Sequence, residues 1–278
     1  SELHFDRGIQ YGCGRADCAP GCDCDRFLEF WNLVFIQYYQ DADGNLEPLE
    51  RTGIDTGMGL DRVCTLLQRV DNIFEIDLVR PIIDALSQLA NTAYGKDKAV
   101  DVSMRVVTDH IRGVTFMVLD GILPGNEGRG YVLRRLVRRA VRHGRLLGIE
   151  GAFLKELAAV VIKVMSDGYP ELVGKADYIY KVIELEEDRF HRTLDQGMAI
   201  LTELMEELEA KGAQEISGAD AFRLYDTYGF PLELTKEIAE ESGYRVDEEG
   251  FRRGMMEQRD RARAAHRKTG YLGDETEN

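Results

Sequence analysis

The period of the apolar pattern changes once along this chain, and that change limits what each part can fold into. From Arg26 to Gln40 the sequence RFLEFWNLVFIQYYQ is dense in aromatic and β-branched residues, and reads as a long, largely buried strand. Asp43-Gly44 supplies a tight turn, Leu46 to Leu49 begins a partner strand, and Arg51 to Met58 reads as a further short strand closing on Gly57 and Gly59. A helix is expected from Leu60 to about Val70. Beyond residue 75 the period becomes 3.6. Leu78, Ile82, Ile83, Leu86, Leu89 and Ala90 share one helical face, and further helices are expected over 104–119, 130–147, 153–165 and 176–211. Ser217, three residues before Asp220, has the form of an N-cap opening a helix that stops near Gly229. Pro231 suits the first turn of the next helix, and 247–268 reads as a last, strongly charged one. The fold class is α+β: an antiparallel β region over residues 1–75, a larger all-helical domain over 76–268, and a polar tail over 269–278.

Hydrophobic content of 44% and charged content of 31% describe an ordinary globular chain rather than a disordered one. No uninterrupted apolar stretch approaches the ~18 residues of a membrane span, and the first residues, SELHFD, lack the basic and apolar regions of a signal peptide. A cytoplasmic setting is expected. A net charge of −15 argues against a general nucleic-acid-binding surface. The charge is segregated, however: Gly128 to Ile149 holds seven arginines and no acid, while acid gathers at 184–188 and 247–249.

Gly53-Ile-Asp-Thr-Gly-Met-Gly-Leu-Asp-Arg-Val63 is the most informative stretch. Glycines at 57 and 59 leave no side chain between backbone and ligand. The helix that follows turns its free N–H groups toward the glycine loop, a place suited to an anion. Arg62, one turn in, offers a planar fork for phosphate, and Asp55 at the strand end suits a cationic amine. A short glycine motif alone is weak, and its plain reading is a β–α turn with a solvated arginine. The surroundings decide. GxDxGxGxxR with an apolar strand before it and an apolar helix after it resembles motif 3 of the class II aminoacyl-tRNA synthetases, and DTGMGLDR together with EFWNLVF is similar to the alanine-specific family.

That resemblance implies roles at particular positions. Arg62 matches the arginine that contacts the tail phosphate of ATP, Gly57 and Gly59 the glycines against the nucleotide, and Asp55 the carboxylate that holds the alanine ammonium group. Asn32 and Val34 match residues lining the alanine pocket, and simple alternation puts both on one strand face. Glu29 matches a metal-binding carboxylate of the class. Strict alternation places it on the other face, so it joins them only through a bulge.

In Tyr131 to His143, Arg134, Arg135, Arg138, Arg139 and Arg142 fall within about 140° of a helical wheel, opposite Val132, Leu133, Leu136, Val137, Ala140 and Val141. Arginines without acid on their own helix need an anion against them: either nucleic-acid phosphate or acidic neighbours from elsewhere in the chain. The preceding DGILPGNEGRG also resembles the alanine-specific family, in which the position of Asn126 reads the G·U wobble pair of the tRNA(Ala) acceptor stem; a second reader matches Asp226 in LYDTYGFP. Asn can donate and accept, and Asp can accept from the exocyclic amine of guanine in the minor groove. Taken without the resemblance, both read as loop or cap residues.

Cys13, Cys18, Cys22 and Cys24 fall in twelve residues of a glycine-containing loop, enough thiolates for a closed tetrahedral Zn2+ site, though without paired CxxC knuckles. Reduced free thiols, or disulfides in an oxidising compartment, remain the alternatives. Cys64 is expected in the core. Asp41 to Glu47 has its glycine misplaced for a calcium loop and reads as a hairpin turn.

The resemblance implies an alanine–tRNA ligase: ATP, alanine and tRNA(Ala) as substrates and partners, with Mg2+. It also implies that motif 1 and the front of motif 2 precede Ser1, and that the editing and oligomerisation domains follow. The chain as given is therefore expected not to activate alanine by itself and not to oligomerise. Two rivals stand beside this reading: a non-catalytic acceptor-stem binding module, and a zinc-stabilised nucleic-acid-binding protein unrelated to ligation.

Overall fold

Asp41 organises the hairpin turn. Its carboxylate accepts from the Asn45 side-chain amide at 2.9 Å, and from the backbone N–H of Asn45 at 2.8 Å and of Asp43 at 2.9 Å. These bonds, the Asn45 side chain first, hold its pKa below the usual carboxylate range. Gly44 takes φ 88°, a conformation that side chains rarely adopt. The computed structural model describes residues 1–269, with side chains as far as Gln258; residues 270–278 of the expected polar tail lie outside the described residues.

Strand β2 (Phe27–Gln40) pairs on one side with β3 (Leu46–Met58) and on the other with β1 (Glu2–Asp6), all antiparallel. The two strands expected over 46–58 are one, with a register shift opposite Ile36 to Tyr38 taking up the irregular stretch. β2 is not largely buried. A single sheet layer leaves both faces of its far half open, and Phe35, Tyr38 and Tyr39 are each more than half exposed. Helix α1 (Leu60–Gln68) follows the Gly57-Met-Gly59 turn; its buried residue is Thr65, while Cys64 is only partly covered.

The chain forms two compact units, Ser1–Pro81 and Ile82–Asn278. Helix α2 (Arg80–Leu89) leads into the second, burying Ile82, Ile83 and Leu86. Its companions are α3 (Lys98–Leu119), α4 (Gly128–Leu146), α5 (Leu154–Met165), α6 (Glu171–Gly174), α7 (Ala176–Lys211), α8 (Gly218–Tyr228), α9 (Leu232–Glu241) and α10 (Glu248–Thr269). Caps fix their starts: Asp97 accepts from the N–H of Ala99 and Val100, and Ser217 from that of Asp220. Pro231 sits one residue earlier than expected, at the N-cap of α9. Fully buried Leu133, Leu154, Leu157, Leu172, Phe190 and Phe230 anchor the core, each such side chain contributing roughly 1.5–3 kcal/mol. The unit is not wholly helical. β4 (Glu215–Ile216) and β5 (Arg245–Val246) pair in parallel and place the starts of α8 and α10 side by side. Two-residue strands carry no period for a sequence to show. Among the described residues, no helix is long and apolar enough to cross a membrane.

Candidate functional site

The β1–β2 ladder contains the bulge that Glu29 requires. Glu2 faces Asn32 and Leu3 faces Trp31, but His4 faces Glu29, so Phe30 is left as the extra residue. Partners in a ladder share a face, and Glu2 and His4 are two apart on a regular strand. Glu29 therefore lies on the same side as Asn32. On the β3 side Asn32 faces Gly57 and Val34 faces Asp55. One face of the sheet thus collects Glu2, His4, Glu29, Asn32, Val34, Asp55 and Gly57, and the other carries Leu3, Trp31, Leu33, Phe35, Ile54 and Met58.

Backbone acceptors at this end of β2 hold the glycine turn and α1. The Phe30 carbonyl accepts from the Gly59 N–H at 3.0 Å, and the Glu29 carbonyl from Arg62 Nη1 at 2.9 Å. The Glu29 carboxylate lies 3.4 Å from the same nitrogen. Arg62 is thereby tied to the sheet face while about half of it stays exposed. A Cβ built on Gly57 would meet no atom within 4 Å, so glycine there keeps a space open on the face that holds Asn32 and Asp55. Glu2 and His4, joined by a 3.2 Å contact, are members of this face that the sequence reading left out; their alternation in SELHFD is the signal for them.

In the cysteine loop, the sulfur atoms of Cys13, Cys18 and Cys22 lie within 4.8 Å of one another. Cys24 touches Cys18 at 3.8 Å but stands outside that group. The Arg15 backbone N–H and then its guanidinium bring the Cys13 thiol down to about 7, while burial pushes Cys18 up.

In the helical unit the anion facing the α4 arginines is the protein itself. Arg138 binds Glu186 of α7 at 2.6 Å and donates to the Gly229 carbonyl. Arg134 lies 3.4 Å from the same carboxylate. Arg135 faces Glu233 at 3.6 Å, Arg139 grips Glu237 with contacts of 2.7 and 3.1 Å, and Arg142 binds Glu241 at 2.5 Å. Glu233, Glu237 and Glu241 form a stripe on α9 at four-residue spacing. Burial raises the Glu237 pKa, but His143 and Arg139 outweigh it and hold the carboxyl at about 2. Of the two anions the arginine face called for, acidic neighbours from elsewhere in the chain are the ones in contact with these five. Arg138 and Arg142 are buried among carboxylates, and the other three are paired.

Asn126 and Asp226, a hundred residues apart in sequence, line one cleft of about 270 Å³ together with Arg134, Arg138, Arg189, Thr193, Tyr225 and Gln258. Arg134 donates to Asn126 Oδ1. Arginine has no acceptor, so the amide presents its NH2 end away from Arg134. Gln258 donates to Asp226 Oδ1, which leaves the second carboxylate oxygen as an acceptor. The cleft thus holds a fixed donor and a fixed acceptor. Arg189 and Thr193 were not anticipated: they lie beside the acidic run 184–188, where an arginine reads as an ion-pair partner.

Comparison with known proteins agrees in kind with these features. The family described as tRNA synthetases class II (A) matches residues 1–277. Alanine–tRNA ligase 1 of Lachnoclostridium phytofermentans is 56% identical over 273 residues, 98% of this chain and 31% of that protein. The alanine–tRNA ligase of Natranaerobius thermophilus is 53% identical over 269 residues (97% and 31%), and that of Carboxydothermus hydrogenoformans 56% over 272 (98% and 31%). The chain spans about 31% of the length of these curated relatives. It belongs to the class II (A) tRNA synthetases, a family of ligases, and within it is similar to the alanine–tRNA ligases.

Proposed function

We propose that this chain supplies the rear half of the alanine-activating centre and the acceptor-stem reader of an alanine–tRNA ligase, which joins alanine to tRNA(Ala) through alanyl-adenylate at the expense of ATP. The observation that carries the proposal is the cleft in which Asn126 and Asp226 meet, each with one polar atom fixed by a neighbour and one left open. The open acceptor on Asp226 suits the unpaired exocyclic amine that guanine shows in the minor groove of a G·U pair, and the Asn126 amide suits an acceptor beside it. A purely RNA-binding module has no use for the sheet face, and the grouping of Asp55, Asn32, Val34 and Gly57 beside Arg62 therefore favours the ligase over that rival. In this reading Asp55 holds the alanine ammonium group, Asn32 and Val34 shape the pocket, and Arg62 meets the ATP phosphates. Glu29 would hold Mg2+, which offsets phosphate charge when bound.

Whole-chain binding to a hairpin RNA carrying an acceptor-stem G·U pair is expected to exceed binding to its G·C counterpart. Asn126→Ala or Asp226→Ala should abolish roughly tenfold of that preference, the scale of one good base contact. Binding that ignores both substitutions points instead to a nucleic-acid-binding protein unrelated to ligation.

The thiol group of Cys13, Cys18 and Cys22, with Cys24 against Cys18, fits the donor set of a structural Zn2+ site. Protein purified without chelator should carry about one zinc per chain on elemental analysis; metal-free protein would overturn the assignment.

A further inference from the structure

We propose that the guanidinium meeting the RNA backbone at the Asn126–Asp226 cleft is Arg189 of α7, rather than an arginine of α4. The proposal rests on the acceptor-stem reading above and adds to it the contact that fixes the RNA in place. Arg129 does not line this cleft, and the other α4 arginines are each engaged: Arg134, Arg135, Arg138, Arg139 and Arg142 by Glu186, Glu233, Glu237 or Glu241, and Arg145 by Asp195. To grip a phosphate, each would have to break an existing pair, two of them buried. Arg189 is exposed, lines the same cleft, and makes no hydrogen bond or ion pair among the described residues.

The charge in the cleft points the same way. Arg134, Arg138 and Arg189 stand against Glu186 and Asp226, and Glu186 is already shared by Arg134 and Arg138. Asp226 is held by the neutral Gln258. The surplus positive charge is therefore that of Arg189, the one of the three guanidiniums with no carboxylate of its own among the described residues. Thr193, one turn further along α7, gives its hydroxyl proton to the Phe190 carbonyl at 3.3 Å and so offers a phosphate no donor. An A-form minor groove is wide and shallow, so a surface that reads base edges there also touches the flanking backbone. A planar fork matches two oxygens of a phosphodiester.

Affinities of the whole chain for the G·U and G·C hairpins, measured across a salt series, test this. Arg189→Gln should weaken both by the same factor, roughly tenfold at low salt, and lower the slope of log K against log salt by about one. Arg189→Lys should restore the slope. Arg189 is exposed, so thermal melts of the variants should match the parent. If the G·U preference persists while Arg189→Gln leaves affinity and slope unchanged, the proposal fails and the acceptor-stem reading stands. Loss of the G·U preference alone would make Arg189 a base reader and also overturn it. If the unsubstituted chain binds neither hairpin, or binds both equally, the reading and the proposal fall together.

Discussion

Replacing Glu186 with alanine is expected to destabilise the helical unit by about 3–5 kcal/mol, the cost of leaving a buried charge without its partner. The Glu186 side chain is 1% exposed and that of Arg138 is 9%, with 2.6 Å between nitrogen and oxygen. Burial already pulls the Arg138 pKa below its ordinary value, against the opposing pull of Glu186. Without the carboxylate, a guanidinium in contact with the Phe190 ring is left with only the Gly229 carbonyl. For a unit of this size the loss amounts to roughly 10 °C in melting midpoint. Glu186→Gln should cost less, since an acceptor remains. Removing both charges, in Glu186→Leu with Arg138→Met, should recover much of the loss, because the desolvation penalty disappears together with the attraction. A binding readout follows as well. Arg134, which orients Asn126, shares Glu186, so the alanine variant should lose G·U preference below its melting midpoint. An unchanged melting curve in Glu186→Ala would show that the pair contributes no stability.

The same residues mark how far the sequence could be read. The periods of 2 and 3.6 locate the sheet, the long helices and the glycine turn, because each of these elements has a repeating face. On the sheet's candidate face the grouping of Asn32, Val34, Asp55 and Gly57 was legible, but not that of Glu29, where alternation alone argued against placing it with Asn32. The inserted Phe30 reverses that, and a bulge is visible only when two strands are laid against each other. On α4 the missing acids could be seen and their replacements could not, since Glu186 lies about fifty residues downstream of Arg138 and the α9 stripe about a hundred. Arg189 was hidden for the converse reason. Its neighbours in sequence are acidic, but Glu186 turns inward to Arg138 and Glu187 caps the first N–H groups of α5 from a fully buried position. Nearness in sequence along a helix does not decide which side chains share an environment; the helix face does.

Gly218→Ala should be the most damaging of the single-methyl additions to the helical unit for binding. A Cβ at 218 would fall well inside contact distance of the Gly250 backbone and the Phe251 nitrogen, atoms that cannot rotate away as a side chain can. α8 and α10 start here backbone against backbone, because β4 and β5 deliver them in parallel and Asp247 N–H is held by the Ile216 carbonyl at 3.0 Å. Ser217 caps one helix and Asp247 the other, accepting from the Gly250 N–H at 2.8 Å. Forcing the two apart should cost on the order of 1–3 kcal/mol or more, the range for overpacking. Asp226 sits on α8 and Gln258 on α10, and their hydrogen bond spans the gap that would widen. The variant should therefore lose G·U discrimination more steeply than its stability loss alone would cause. Gly113→Ala supplies the contrast. It lies inside α3, and a Cβ there would meet nothing within 4 Å. The same chemical change should then stabilise the protein by about 0.5–1 kcal/mol through helix propensity and leave RNA binding untouched. Equal effects of the two substitutions on melting would contradict the close α8–α10 crossing.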